Sequence, residues 1–289
     1  MARSETTTRV LVALVAIPIG VVLVVAGGWA LALLLGAIAV AGALEFYRLA
    51  EQKGIQPLRF LGGLIAALFV ALGAVNPVGG PEAAGYTLLL LFSVVGVAVV
   101  AIWARGVERD PLLAFSTTLT GAVYTGYLLS FALFLRHLPG SSGVWHGTAL
   151  LFAPVLLTWA SDTAAYFVGR QWGARKLFPS VSPGKTVEGA IGAVAGAVLV
   201  AIAYRHVLLL FPLYHLELWQ AVVLGILVSI AAQVGDLVES LFKRDAGVKD
   251  SGALLPGHGG ALDRFDSLFF TLPLGYYFFR LVFSAQQAF

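Results

Sequence analysis

Charged side chains are scarce in this sequence, and most of those of its C-terminal half crowd into two stretches, Arg170 to Glu188 and Asp236 to Asp266. In the second, Gln233 to Arg244 reads as helix. Asp236, Glu239, Ser240 and Lys243 then stand at i, i+3, i+4 and i+7 and share one face. Alone, that pattern also fits a solvated helix end with a salt-bridged stripe. A glycine-rich loop follows, running from Lys249-Asp250-Ser251-Gly252 through Pro256-Gly257-His258-Gly259-Gly260 to Asp263-Arg264-Phe265-Asp266. Glycine permits positive φ and close approach to a ligand, and successive exposed N–H groups can cradle phosphate oxygens. Asp263 and Asp266 are expected to open the last helix and share a face. Carboxylates suit a hard cation such as Mg²⁺, which keeps waters and bridges to substrate phosphates. Lys243, Arg244, Lys249 and Arg264 add positive charge for phosphate. A merely flexible loop accounts for the glycines. It leaves unexplained four cations and five acids (Asp236, Glu239, Asp250, Asp263, Asp266) gathered around them.

Asp162 lies eight residues before Arg170, about 12 Å inside a helix. A carboxylate at that depth is a functional candidate by default, the plainer alternative being a polar pairing that locks helices together. Ser182-Pro183 reads as an N-cap followed by a first-turn proline. Gly184-Lys185-Thr186 is not a nucleotide P-loop: Pro179 stands where the first glycine is needed, and no parallel-strand context surrounds it. Gly189, Gly192 and Gly196 would let helices approach closely, within the chain or in a dimer. His137, His146, His206 and His215 read as surface groups, and the aromatics from Phe269 to Phe279 as packing and interfacial belt.

The elements that must hold these residues are membrane helices. Of the 289 residues 59% are hydrophobic and 11% charged, and the mean hydropathy is +0.91. Soluble domains carry about 25% charged residues, so most of this chain has lipid as its solvent. There are no cysteines, which excludes disulfides, thiolate catalysis and Cys-based zinc sites. Nine candidate spans lie at roughly 9–27, 28–46, 59–76, 85–104, 113–135, 148–169, 188–204, 216–235 and 265–284. The first is read as a span, not a cleaved signal, because a second apolar run follows at once. With the N-terminus in the cytoplasm, 15 of the 18 Lys and Arg residues face the cytoplasm and only Arg136, Arg205 and Arg280 face outward. Residues 1–140 are expected to form about five N-terminal spans. Residues 141–289 are expected to form the catalytic region, with the chemistry in cytoplasmic-side loops.

The run Ser240-Leu-Phe-Lys243-Arg244, Lys249-Asp250-Ser-Gly252 and Leu255-Pro256-Gly-His258-Gly259-Gly260-Ala261-Leu-Asp263-Arg264-Phe265-Asp266 resembles the signature of phosphatidate cytidylyltransferases (CDP-diacylglycerol synthases). Ser161 to Arg170 and Ser182 to Gly189 resemble the same family. Ala261 departs from the family's larger aliphatic residue, and Gly184 from its usual lysine. The resemblance is good from about residue 150 to 275; before that it is one of hydropathy and position only.

It implies an all-α polytopic membrane enzyme that joins CTP and phosphatidic acid into CDP-diacylglycerol with release of pyrophosphate. Asp236 and Asp263 would be cation ligands, with Asp266 and Glu239 in reserve, for Mg²⁺ and a second cation where the carboxylates allow one. Lys243, Arg244, Lys249 and Arg264 would hold phosphates. Asp250, His258, Gly259 and Gly260 would shape the nucleotide site, joined by Ser240, Asp162, Lys185, Thr186 and Glu188. Partners would be the two substrates and the bilayer, with a homodimer left open and no nucleic acid. The location would be the inner (plasma) membrane. Two other classes stay open: a CTP-dependent polyprenol kinase, which would release CDP, and a transporter, which would give no reason for the basic glycine loop.

Overall fold

A computed structural model describes residues 14, 16–138, 144–210, 215–252 and 259–287. The chain is an all-α, multi-pass membrane protein. Among the described residues, seven helices are long and apolar enough to cross a bilayer. Two shorter apolar helices, α1 (Ala16–Ala26) and α3 (Arg59–Val75), lie where the sequence places two further spans. The chain falls into two compact units, which interleave in sequence: 1–134 with 242–265, and 135–241 with 266–289.

The first unit holds α1, α2 (Gly28–Gln52), α3, α4 (Ala84–Arg105) and α5 (Pro111–Ala122). It continues through one π-helical turn (Val123–Tyr127) into α6 (Leu128–Arg136), and it receives the last residues of α9 and the short α10 (Leu262–Phe265). Its interior is aromatic. Phe69, Tyr86, Tyr127, Phe131 and Phe134 meet at centroid distances between 5.3 and 6.0 Å, within the range of favourable ring pairing. Polar groups in this core are paired. The Tyr47 hydroxyl donates to the Thr118 carbonyl at 2.8 Å, and the Thr118 hydroxyl accepts from Leu58 N–H at 2.8 Å. Such pairing is obligatory where no water can substitute. A second aromatic group lies at the end of α9: Phe242 packs edge-on against Phe46 of α2 and Tyr124 of the π turn, at 5.6 and 6.2 Å. The backbone next to Lys243 is thereby fixed.

The second unit holds α7 (Val144–Trp172), the hairpin β1 (Lys176–Phe178) and β2 (Ser182–Thr186), α8 (Val187–Leu208), most of α9 (Leu218–Asp245) and α11 (Leu268–Gln287). Helices α7 and α8 are packed through small residues. A Cβ at Gly192 would strike the Val168 side chain, and one at Gly189 would lie 3.0 Å from the Ala165 carbonyl. The glycine stripe read from the sequence is thus spent inside the chain. Hydroxyls join the other helices: Ser161 to Ser229 at 2.9 Å, and Thr158 to Thr271 at 3.2 Å. Pro154 stands inside α7 and Pro273 inside α11, as membrane helices tolerate when neighbours satisfy the freed groups.

Two local expectations are corrected. Ser182-Pro183 does not start a helix; both residues lie in β2. The cap is Thr186, extended at φ −125° and ψ 155°, whose Oγ1 accepts from Gly189 N–H at 3.1 Å. The antiparallel pairing of Lys176 with Thr186 and Phe178 with Ser182 holds Ser182-Pro183 in a strand, and a proline is tolerated on such an edge. Nor do Asp263 and Asp266 share a helical face. Helix α10 stops at Phe265, and Asp266-Ser267 form a turn before α11. Asp266 Oδ1 accepts from Ser267 N–H at 2.6 Å, while the Ser267 hydroxyl donates to the Ala232 carbonyl at 3.1 Å. Asp and Ser side chains offering local backbone bonds compete with helix continuation.

Candidate active site

In the second unit, three carboxylates from three elements lie near one another, and one of them pairs with a lysine. Helix α7 carries Asp162 on an exposed face, α9 carries Asp236, and the turn before α11 carries Asp266. Lys185, on β2 one residue before the α8 cap, reaches Asp236 with Nζ 2.7 Å from Oδ2. Asp162, Asp236 and Asp266 lie near enough to repel one another, and Asp162 also feels Lys185. The Ser240 hydroxyl, one turn along α9, donates to Asp236 Oδ1 at 3.3 Å. A single ammonium leaves this cluster with excess negative charge, which invites a cation.

Glu188 is turned to the hairpin. Its Oε2 accepts from the N–H groups of Ala174 and Arg175 at 3.0 and 3.1 Å, and its Oε1 lies 3.4 Å from Arg175 Nε. Thr186 is buried as the α8 cap. Glu239 is fully buried on α9.

In the first unit, described residues on both sides of the glycine loop gather around Asp263. Its Oδ1 receives Lys243 Nζ at 2.7 Å. Its Oδ2 accepts from Ser251 N–H at 3.0 Å, the Ser251 hydroxyl at 2.9 Å and Gly260 N–H at 2.9 Å. Gly259, at φ +80°, lets the chain turn so that Gly260 N–H meets this carboxylate, and a Cβ there would stand 2.9 Å from Asp263 Oδ2. Lys249 and Asp250 are exposed at the start of the loop, as are Arg244 and Arg264. His258 lies outside the described residues.

Sequence reasoning passed over one residue. Glu45 of α2 is 3% exposed, and its carboxylate receives Ala261 N–H at 3.0 Å, Leu262 N–H at 2.8 Å and the Ser251 hydroxyl at 3.0 Å. The available signal was a carboxylate at the end of an otherwise apolar span, the kind of position that marks function in a membrane.

Among the described residues no three His, Cys, Asp or Glu side chains close into a ready-made metal cage. The donor set still suits Mg²⁺. That ion demands hard oxygens, keeps several waters and is commonly held by one or two carboxylates together with substrate phosphates. Asp162, Asp236 and Asp266 present hard oxygens of this kind and do not by themselves close a coordination shell.

Residues 7–282 match the model of the cytidylyltransferase family. The chain is 32% identical to a phosphatidate cytidylyltransferase of Synechocystis, over 96% of this chain and 97% of that protein. It is 35% identical to one of Haemophilus influenzae, over 87% and 90%, and 31% identical to one of Bacillus subtilis, over 94% and 97%. With the match running from the first apolar helix through the last, this chain belongs to the cytidylyltransferase family.

Proposed function

We propose that this protein is a phosphatidate cytidylyltransferase, which transfers CMP from CTP to phosphatidate and releases pyrophosphate. The observation that carries this reading is similarity, at 31–35% identity over 87–96% of the chain, to bacterial proteins of that name. The site is consistent with it. An oxygen of the phosphatidate phosphate attacks the α-phosphorus of CTP, and the bond from that phosphorus to the bridging oxygen of the β-phosphate breaks. The nucleophile is a phosphate monoester with a second pKa of about 6, already largely ionised at neutral pH. No strong general base is needed. What the protein must do is hold two polyanions together and stabilise the leaving pyrophosphate.

The roles divide between the two groups of residues. Lys185, oriented by Asp236, neutralises phosphate charge; Asp236, with Asp162 and Asp266, would hold Mg²⁺, which supplies Lewis-acid neutralisation of phosphate oxygens when bound. Asp263 orients the Lys243 ammonium and shapes the loop, while Arg244, Lys249 and Arg264 present cationic groups to phosphate. Asp250, His258, Gly259 and Gly260 belong to the nucleotide-binding loop. The deciding experiment incubates detergent-purified protein with labelled CTP, Mg²⁺ and phosphatidate. The expected products are CDP-diacylglycerol and pyrophosphate. Lipid phosphate plus CDP from a lipid alcohol would identify a kinase instead, and absence of any nucleotide-dependent lipid product under every divalent cation would refute the reading.

The membrane is the bacterial inner membrane, crossed nine times with the N-terminus and the catalytic loops in the cytoplasm. The asymmetry of 15 cations against 3 supports this orientation. The chain has no cysteine of its own, so single introduced cysteines report sidedness directly. A cysteine at residue 289 is expected to react from outside the cell, and one at 249 only from the cytoplasm. Residue 289 reacting solely from the cytoplasm would refute the odd number of crossings.

A further inference from the structure

We propose that Glu45 is a positioning residue for the transfer reaction: from α2 it holds Ser251, Ala261 and Leu262, on either side of the glycine loop, in the arrangement that sets Asp263 against Lys243. The proposal rests on the cytidylyltransferase reading for its activity readout alone. Its basis is geometric. Glu45 Oε1 takes Ala261 N–H at 3.0 Å, while Oε2 takes Leu262 N–H at 2.8 Å and the Ser251 hydroxyl at 3.0 Å. Both oxygens are in use and the residue is 3% exposed, so water does not substitute for the lost contacts if the carboxylate goes. The loop is built around it. A Cβ on Gly252 would meet Glu45 Oε1 at 2.5 Å, and a Cβ on Gly260 would overlap Glu45 Oε2. Those two glycines of the signature leave the space that a carboxylate from 206 or more residues earlier in the chain fills.

Ser251 couples this carboxylate to Asp263. Its Oγ lies 3.0 Å from Glu45 Oε2 and 2.9 Å from Asp263 Oδ2. A hydroxyl has one proton to donate, so it serves one acidic group at a time, and the remaining stabilisation comes from backbone N–H groups and from Lys243. Four N–H groups, from Ser251 and Gly260 to Asp263 and from Ala261 and Leu262 to Glu45, thus fix the loop on two carboxylates. Glu45 gives the N-terminal helices a specific task in the reaction: they supply the brace against which the signature loop is set. Glutamine cannot reproduce it, because its amide offers one acceptor oxygen and turns two donors toward groups that already donate.

The test compares Glu45→Gln with the wild type in detergent, with Tyr47→Phe as a control. Tyr47 sits two residues along α2 and bonds the Thr118 carbonyl, away from the loop. Glu45→Gln is expected to lower kcat about 100-fold, as misplacement of catalytic groups by about 1 Å does. KM for CTP and phosphatidate should stay within about threefold, since Glu45 is not proposed to touch substrate. Tyr47→Phe is expected to lower the melting temperature while keeping wild-type kcat per folded molecule. Hydrogen exchange reads the brace without activity: the Ala261 and Leu262 amides should exchange at least about tenfold faster in Glu45→Gln. If Glu45→Gln does not fold, Ser251→Ala removes only the hydroxyl and should lower kcat about tenfold with KM unchanged. A folded Glu45→Gln or Ser251→Ala variant with wild-type kcat overturns the proposal. So does unchanged exchange at Ala261 and Leu262, or a kcat loss that tracks the unfolded fraction. A wild-type protein that makes no CDP-lipid defeats the functional reading, while the exchange result still judges the brace.

Discussion

Asp236→Asn is expected to lower turnover with CTP and phosphatidate by about 10³-fold, the scale of removing a preorganised electrostatic group at a charge-developing centre, with the melting temperature almost unchanged. The two halves of this expectation come from different numbers. The Asp236 and Lys185 side chains are 36% and 25% exposed. An ion pair so open to its surroundings contributes at most about 1 kcal/mol to stability. The carboxylate also stands among like charges, Asp162 and Asp266, and neutralising it relieves that repulsion. Asparagine is nearly isosteric, so packing of α9 survives. Function loses far more. Lys185 loses the anion that aims it, and the three-carboxylate cluster loses the member central to its interactions. Turnover measured against Mg²⁺ concentration should show a higher half-saturation as well as a lower plateau. Near-normal turnover with unchanged Mg²⁺ dependence would remove Asp236 from the site.

The helical organisation was legible because lipid imposes a simple rule: apolar runs of sufficient length must be helices. α2, α4, α7, α8, α9 and α11 lie where hydropathy puts them. Misread were places where a side chain competes with the backbone. Asp266 and Ser267 break the last helix by local bonding, an outcome a pattern of residues three apart does not reveal. Ser182-Pro183 carries every mark of a helix start, yet the pairing of β1 with β2 moves the start to Thr186. In the site, the acids and cations were visible because charge in an apolar chain stands out. How they group was not. Asp236 and Asp263 read as equivalent ligands flanking one loop, whereas their partners differ: Lys185 and two further carboxylates for Asp236, Lys243 and backbone N–H groups for Asp263. Glu45 was hidden by distance along the chain, since nothing local to α2 announces that Ala261 and Leu262 need an acceptor.

That difference of partners predicts a different phenotype for Asp263→Asn. The Lys243 and Asp263 side chains are 14% and 7% exposed, with Nζ and Oδ1 at 2.7 Å. Removing one member of a buried pair takes away a compensating charge and costs about 3–5 kcal/mol. The same carboxylate also accepts from Ser251 N–H, the Ser251 hydroxyl and Gly260 N–H on Oδ2. An amide placed there keeps an oxygen for one side only: if it faces the N–H groups, its NH₂ confronts the Lys243 ammonium, and if it faces the ammonium, its NH₂ confronts the N–H donors. Either orientation opposes donor to donor, so the loop must shift. The expected result is a melting temperature lower by about 5–10 °C, together with loss of turnover of about 100-fold or more. Because the loss arises from loop geometry, added Mg²⁺ should not restore it, in contrast to Asp236→Asn, where high Mg²⁺ recovers part of the rate. A protein that melts like the wild type while its rate climbs back with Mg²⁺ would show that Asp263 is a metal ligand first and a loop anchor second.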